Sequence, residues 1–244
     1  MKVRLVSYTK ADEEFVKQAQ EEFLAIHPDK EDKLPQFNDL QDLVAYCARV
    51  SNPSNQMNEE TSEKLIKYLI KHSHWSPLEM VDATFEIETT RDISHQIIRH
   101  VSFRFQEFSQ RYANPQDMGE EVFVTSEARL QDPKNRQNSI DIDLGQPGMA
   151  ELITKWEELQ QDVCYTAGRA YDWAISQGIA KEVARKVLPE GLTKTRLYMK
   201  GSLRSWIHYI ELRGANGTQK EHMEVARACA EVISKIFPLI NDLS

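Results

Sequence analysis

Between Ile93 and Tyr112 the side-chain period changes, and that change constrains the fold more than any other feature of the chain. Ile93, Gln96, Ile97 and His100 or Arg99 recur at steps of three and four, so a helix ends here and projects Gln96 and Arg99 together from its last turns. Downstream the polar period falls to two. Glu107, Ser109 and Arg111 alternate with Phe108 and Gln110, the pattern of an extended run that presents a carboxylate, a hydroxyl and a guanidinium to one side. A helix handing over to such a run converges Gln96, Arg99, Glu107, Ser109 and Arg111 on one place. Guanidinium forks match phosphate oxygens, while an amide and a carboxylate can read a base edge or a ribose hydroxyl. An equally simple reading is a basic amphipathic helix lying on solvent or on a nucleic acid, with Arg99, Arg104 and Arg111 on phosphates and Phe103, Phe105 and Phe108 as stacking platforms.

The elements around this stretch point to an α+β fold, an antiparallel sheet packed with several long helices in a single domain over residues 1–244. Lys2 to Tyr8 alternates as an opening strand, and Ala11 to Ile26 follows as a helix with Phe15, Ala19 and Phe23 on its apolar face. Leu40, Leu43, Val44 and Cys47 mark a second helix, and Glu59 to His72 a third. Asp82 to Glu88 is a half-buried strand whose Ala83, Phe85 and Ile87 face inward, leading to Thr90 or Asp92 as a helix cap. Ala113 to Pro147 is the least structured region by composition, with one short strand at Val122 to Thr125 in a mobile flap or subunit contact. Met149 to Gln177 is a long helix carrying Leu152, Ile153, Trp156, Leu159, Val163 and Ala167 along a stripe that is core or interface. A short helix over Ala180 to Leu188, a buried stripe of Leu203, Trp206, Ile207 and Ile210, and a closing helix with Val225, Cys229, Val232 and Ile236 complete the chain.

The net charge of -8 argues against general nucleic-acid binding, because tracking a phosphate backbone needs a basic face. No run approaches the roughly 20 apolar residues of a membrane span, and the N-terminus has no signal pattern, so a cytoplasmic protein is expected. The three cysteines, Cys47, Cys164 and Cys229, are widely spaced and without a CxxC pair, so neither a disulfide framework nor a zinc site is indicated. His72, His74 and Glu79 are competent metal donors, but their spacing matches no familiar ligand set, and no metal is expected. Ser76-Pro77 with Glu79 also reads as a capping box with proline at N1.

Several separate motifs resemble the flavin-dependent thymidylate synthases. That family reads Arg-His-Arg, a spacer ending in Asn-Glu or Gln-Glu, then Ser-x-Arg-Tyr, and here Arg99, His100, Gln106, Glu107, Ser109, Arg111 and Tyr112 stand in those places. Val101 replaces the usual third arginine, and Arg104 stands where serine is frequent. Also similar are the Arg-Val-Ser ending at Ser51, the segment His74 to Glu79, and Ala184-Arg185-Lys186-Val187-Leu188-Pro189.

The resemblance implies a thymidylate synthase-complementing protein-like fold and the reductive methylation of dUMP to dTMP. It implies FAD as cofactor, with NADPH and 5,10-methylenetetrahydrofolate as co-substrates, in a homotetramer whose sites are shared between subunits. It assigns dUMP to Gln96, Arg99, Glu107, Ser109, Gln110, Arg111, Arg185 and Arg213, with Arg185 reaching in from a neighbouring subunit. It assigns FAD to Ser51, His74, Ser76, Glu79, Arg99, His100, Val101, Gln106, Glu107, Ser202, Arg204, His208 and Leu212. None of the cysteines lies among these groups, so Arg213 is the candidate catalytic residue, stabilising charge on a uracil deprotonated at N3. Val101 also prompts an alternative, a flavin enzyme acting on a different pyrimidine nucleotide.

Overall fold

The computed structural model describes residues 1–119, 121–215 and 217–242. Among them, six strands are formed: β1 (Lys2–Tyr8), β2 (Asp82–Thr90), β3 (Arg104–Glu107), β4 (Arg129–Gln131), β5 (Ser139–Asp141) and β6 (Lys194–Ser202). The helices are α1 (Glu13–Ile26), α2 (Leu40–Ala48), α3 (Ser62–Lys71), α4 (Arg91–Ile97), α5 (Met149–Ser176), α6 (Lys181–Ala184), α7 (Leu203–Gly214) and α8 (Lys220–Ile233). Four strands make one antiparallel sheet in the order β1-β2-β6-β3, and β4 and β5 form a separate hairpin.

Strand register decides what each side chain can reach. Leu5, Phe85, Met199 and Phe105 lie in one row across the sheet, and Val3, Ile87, Leu197 and Glu107 in the next. These rows face the core, so the edge-strand carboxylate Glu107 is carried inward with the apolar residues. The opposite face is a charged ladder in which Arg4 and Arg196 bracket Glu86, and Arg196 also holds Glu88 at 2.6 Å. Helices α4, α7 and α8 cover the inner face. There Trp206 is fully buried, stacks on Phe85 at 4.2 Å, and donates its indole N–H to Ala83 O at 3.1 Å. No helix among the described residues is long and apolar enough to cross a membrane.

The α+β reading and the expected elements from Lys2 to Glu88 hold, with α1, α2, α3 and β2 in place. Other expectations are corrected. Helix α4 stops at Ile97, so Arg99 leaves from the turn beyond it rather than from the helix. The extended run is Arg104–Glu107; its register with β6 runs to Glu107 opposite Leu197, followed by a hydrogen bond from Phe108 N to Arg196 O, and Gln110 to Tyr112 close into a turn. No capping box forms at Ser76, because the short 3-10 turn Ser76–Glu79 has no side-chain cap and Glu79 pairs with Arg204 instead. The helix expected over Ala180 to Leu188 is split into α6 and a 3-10 turn at Arg185–Val187. The stretch Ala113 to Pro147 contains the β4–β5 hairpin, and Phe123 bridges Thr193 beside β6.

Candidate active site

Helix α7 is the element on which several of the expected site residues meet. Its start is fixed by Ser202, whose hydroxyl accepts Ser205 N–H at 3.3 Å as an N-cap. Leu203, Trp206, Ile207 and Ile210 bury one face, which leaves Arg204, His208 and Leu212, at steps of four, as an open stripe. The segment after α3 docks on that stripe. Ser73 takes a left-handed backbone with φ 59°, reversing the chain so that His74 N–H returns to Leu69 O at 2.8 Å. Arg204 then ion-pairs with Glu79, and the His208 ring packs on Trp75 at 4.7 Å. His74 is exposed beside Tyr68 and His72. The turn after α4 joins the same helix, since Ser205 Oγ lies 3.5 Å from Ser102 O. Glu79, Ser202, Arg204 and His208 are therefore gathered within one chain, with Leu212 farther along the same helix stripe. Ser76 is exposed on the same segment, whereas Ser51 lies in an exposed turn that no hydrogen bond joins to this group among the described residues.

At its C-terminal end α7 meets α4 and α8 in a polar cluster. Arg213 donates Nε–H to His100 Nε2 at 3.0 Å. Burial and the Arg213 charge both lower the His100 pKa, so the ring is a neutral acceptor. The fully buried His222 of α8 contacts Gln96 Oε1 at 3.3 Å through Nδ1 and the Tyr209 hydroxyl at 3.2 Å through Nε2. Its pKa falls to about 4 through burial, Arg213 and His100. Gln96 in turn donates to Gln219 Oε1 at 2.7 Å. Tyr209, Gln219 and His222 are not among the site residues expected from the sequence. The signal that marks His222 is its place three and seven residues before Val225 and Cys229, on the apolar seam of α8.

A third group lies around the turn that follows β3. Arg111 pairs with Glu182 at 3.4 Å and Lys181 donates to Tyr112 O at 3.1 Å, which ties the turn to α6 one step before Arg185. Among the described residues, neither Arg99 nor Arg185 spends its guanidinium on a side-chain hydrogen bond or ion pair. Gln110 is buried with Nε2 unpartnered, while Ser109 is half-buried. Glu107 behaves differently from the sequence expectation. Its Oε1 accepts Ser94 Oγ at 3.0 Å and Thr195 Oγ1 at 2.8 Å and faces Arg91 at 3.5 Å, so this oxygen knits α4 to β6 rather than facing outward with Ser109 and Arg111. Gln106 lies on the outer sheet face opposite Tyr198, and Val101 is 88% exposed. Arg104 folds back to donate to Val101 O at 3.2 Å and Phe103 O at 2.9 Å.

Two chemistries are disfavoured by packing. Phe103 is buried against Trp206 at 4.8 Å and Phe105 sits against the core, so neither ring is a platform for stacked bases. Cys229 is buried with its thiol pKa pushed far up, and burial also raises Cys47 and Cys164. No cysteine is set up as a thiolate nucleophile.

Residues 33–239 match the family model described as thymidylate synthase complementing protein. The chain is 48% identical over 204 residues to a probable flavin-dependent thymidylate synthase of Paramecium bursaria Chlorella virus 1, covering 83% of this chain and 89% of the relative. It is 49% identical over 199 residues to a flavin-dependent thymidylate synthase of a Synechocystis species, covering 81% of this chain and 86% of that protein. In fold it is similar to the crystal structure of a UMP/dUMP methylase, PolB, from Streptomyces cacaoi, with a TM-score of 0.74 at 21% identity over 99% of this chain and 93% of the other. The chain belongs to the thymidylate synthase complementing protein family.

Proposed function

We propose that the protein methylates dUMP reductively to dTMP, with FAD as bound cofactor, NADPH as reductant and 5,10-methylenetetrahydrofolate as one-carbon donor. One observation carries the assignment of roles: Arg213 has a single N–H committed to a neutral histidine, so four guanidinium donors remain on a cation that cannot be deprotonated. Methylation at C5 of uracil needs electron density there. A thiolate added to C6 is one source, and no cysteine here is placed to give it. The other source is the N3-deprotonated ring, whose delocalised negative charge a fixed guanidinium stabilises. Arg213 takes that role, with His100 holding its orientation.

The residues present fit a flavin dinucleotide. Arg99 and Arg185 offer uncommitted guanidinium groups for phosphate oxygens, and Gln110 Nε2 is a buried donor without a partner. The open stripe Arg204, His208 and Leu212 with His74 offers one apolar and two aromatic neighbours for a ring system. When bound, reduced FAD supplies the hydride that completes the methyl group. Arg99, Ser109, Arg111 and Arg185 hold the dUMP phosphate, Gln96 and Arg213 the nucleoside, and Glu107 keeps α4 in place beneath them.

The active form is a homotetramer with sites shared between copies. Support comes from α5, whose Leu152, Trp156, Leu159 and Val163 are exposed in sequence along one face. The test of the function is direct. The purified protein should carry the visible absorption of a flavin and release tritium from [5-3H]dUMP when NADPH and methylenetetrahydrofolate are supplied. A colourless protein that FAD cannot reconstitute refutes the proposal.

A further inference from the structure

Four side chains, Gln219, Gln96, His222 and Tyr209, form a hydrogen-bonded chain that runs from the start of α8 through α4 to α7, and Glu221 lies beside its first member. Arg129 donates to Glu221 at 2.6 Å. Gln96 Nε2 donates to Gln219 Oε1 at 2.7 Å, which leaves Gln96 Oε1 toward His222 Nδ1 at 3.3 Å. His222 Nδ1 must then carry hydrogen, and Nε2 accepts from the Tyr209 hydroxyl at 3.2 Å. Reversing the Gln96 amide would set its carbonyl oxygen against Gln219 Oε1, acceptor against acceptor.

We propose that His222 is a positioning residue, held as the Nδ1–H tautomer, which together with Gln219 locks the Gln96 amide in one orientation for the pyrimidine nucleotide. The inference rests on the placing of Gln96 in the dUMP site. His222 touches no ligand; it acts through Gln96. The geometry supports this role beyond simple packing. The imidazole is fully buried yet both of its nitrogens are used, and the neighbouring His100 ring stands edge-on to Tyr209 at 5.0 Å, so the same tyrosine connects the Gln96 and Arg213 branches. Gln96 thereby has one N–H and one lone pair left, on known sides of the amide, and a nucleotide meets a preset pattern of donor and acceptor.

Two measurements on the FAD-loaded protein test it. Long-range 15N-1H NMR of the histidine rings should show His222 neutral, with Nδ1 protonated and Nε2 bare, at pH 7; an Nε2–H tautomer or an imidazolium overturns the inference even if no variant folds. In the second, His222→Phe should raise the dissociation constant and KM for dUMP about tenfold, the effect of an unpaired buried acceptor, with flavin content unchanged. His222→Asn, whose amide N–H can stand in for Nδ1–H, should recover most of that loss. Equal dUMP affinity in wild type and His222→Phe, or no recovery in a folded, flavin-loaded His222→Asn, overturns it. If wild type itself binds no dUMP, the proposed function has failed, whereas the tautomer measurement still stands for the chain of hydrogen bonds.

Discussion

Arg213 and His100 form a 3.0 Å hydrogen bond in which the arginine Nε–H is the donor and the imidazole Nε2 the acceptor. Burial of the ring and the neighbouring Arg213 cation both oppose a proton on His100, so the pair carries a single positive charge. An arginine anchored through Nε has its fork oriented by the anchor. A lysine in its place would keep the charge but lose both the anchor and the fork. Arg213→Lys should therefore lower kcat for tritium release from [5-3H]dUMP by about 10²-fold or more, the scale of losing one preorganised donor to developing charge. Flavin content, read from visible absorption, should not change. Wild-type turnover in Arg213→Lys would remove Arg213 from the chemistry.

Buried His222 predicts a pH signature of stability. Its ordinary pKa of 6.5 falls to about 4 in the folded chain because of burial and the nearby Arg213 and His100. The unfolded chain takes up the proton first as pH drops, so the unfolded state binds more protons between those two values and stability falls there. Above 6.5 both states are neutral and the group contributes no slope. The full loss, about 3 kcal/mol on conversion of the shift, should be reached near pH 4. Urea unfolding of wild type and His222→Asn should give curves that converge or cross as pH is lowered from 7 to 4. Parallel curves would mean that the ring is protonated in the folded chain.

Glu107 should matter to stability more than its partly open position suggests. Its Oε1 serves two hydroxyls that are otherwise buried, Ser94 at 0% and Thr195 at 1% exposure. Glu107→Ala would strand both donors and leave Arg91 without its carboxylate, and should cost about 2–4 kcal/mol. Glu107→Gln retains an acceptor oxygen and should cost less than half as much. Chemical denaturation of the apo-protein distinguishes this role from a role in ligand contact alone, for which the two variants would unfold like wild type.

Close approach is the reason for glycine at position 201. A Cβ there would lie 2.4 Å from Phe103 Cδ1 and 2.5 Å from Cε1. The phenyl ring has no easy escape, being packed against Trp206 at 4.8 Å and Tyr209 at 5.9 Å. Gly201→Ala should destabilise by about 1–3 kcal/mol through overpacking. Combining it with Phe103→Leu should cost less than the two single changes added together, since both act on the same contact. Strict additivity in thermal or urea unfolding would show that the ring moves away freely.

Sequence periodicity made β1, α1, α2, α3 and β2 legible because each alternates or repeats against a single apolar core. It failed at β6, although Thr195, Leu197, Met199 and Gly201 do alternate there. Lys194, Arg196 and Lys200 occupy the other face, and their neutralising partners Glu121, Glu88 and Asp82 lie far away in the chain. Such a basic run becomes a central strand only once its counter-charges arrive. The β4–β5 hairpin is similar: its strands are three residues each, and Arg129 and Lys220 clamp it to α8 through Glu221, Glu127 and Asp141. For the site, residue types and motifs pointed to Arg213, His100 and Gln96, whereas the inward turn of Glu107 follows from its register against Leu197, which no local pattern contains.

Helix α5 supplies the last prediction. Of its 28 residues, Gln160, Ala167, Tyr171 and Ala174 are buried within the chain, while Leu159 and Val163 are 47% and 48% exposed. These two are one helical turn apart and continue the line of Leu152 and Trp156. A stripe of this length costs solubility unless a second surface covers it. Because Leu159 and Val163 are already half open, Leu159→Glu with Val163→Glu should leave the fold of the single chain intact, but it would place two carboxylates in an apolar contact between copies. Light scattering coupled to gel filtration should report a tetramer for wild type and a smaller species for the double variant, with unchanged far-ultraviolet circular dichroism. Flavin should be lost with the assembly, because a site shared between copies disappears when they separate. A double variant that remains tetrameric would show that α5 does not form the contact. One that dissociates yet keeps flavin and turnover would show that each copy holds a complete site.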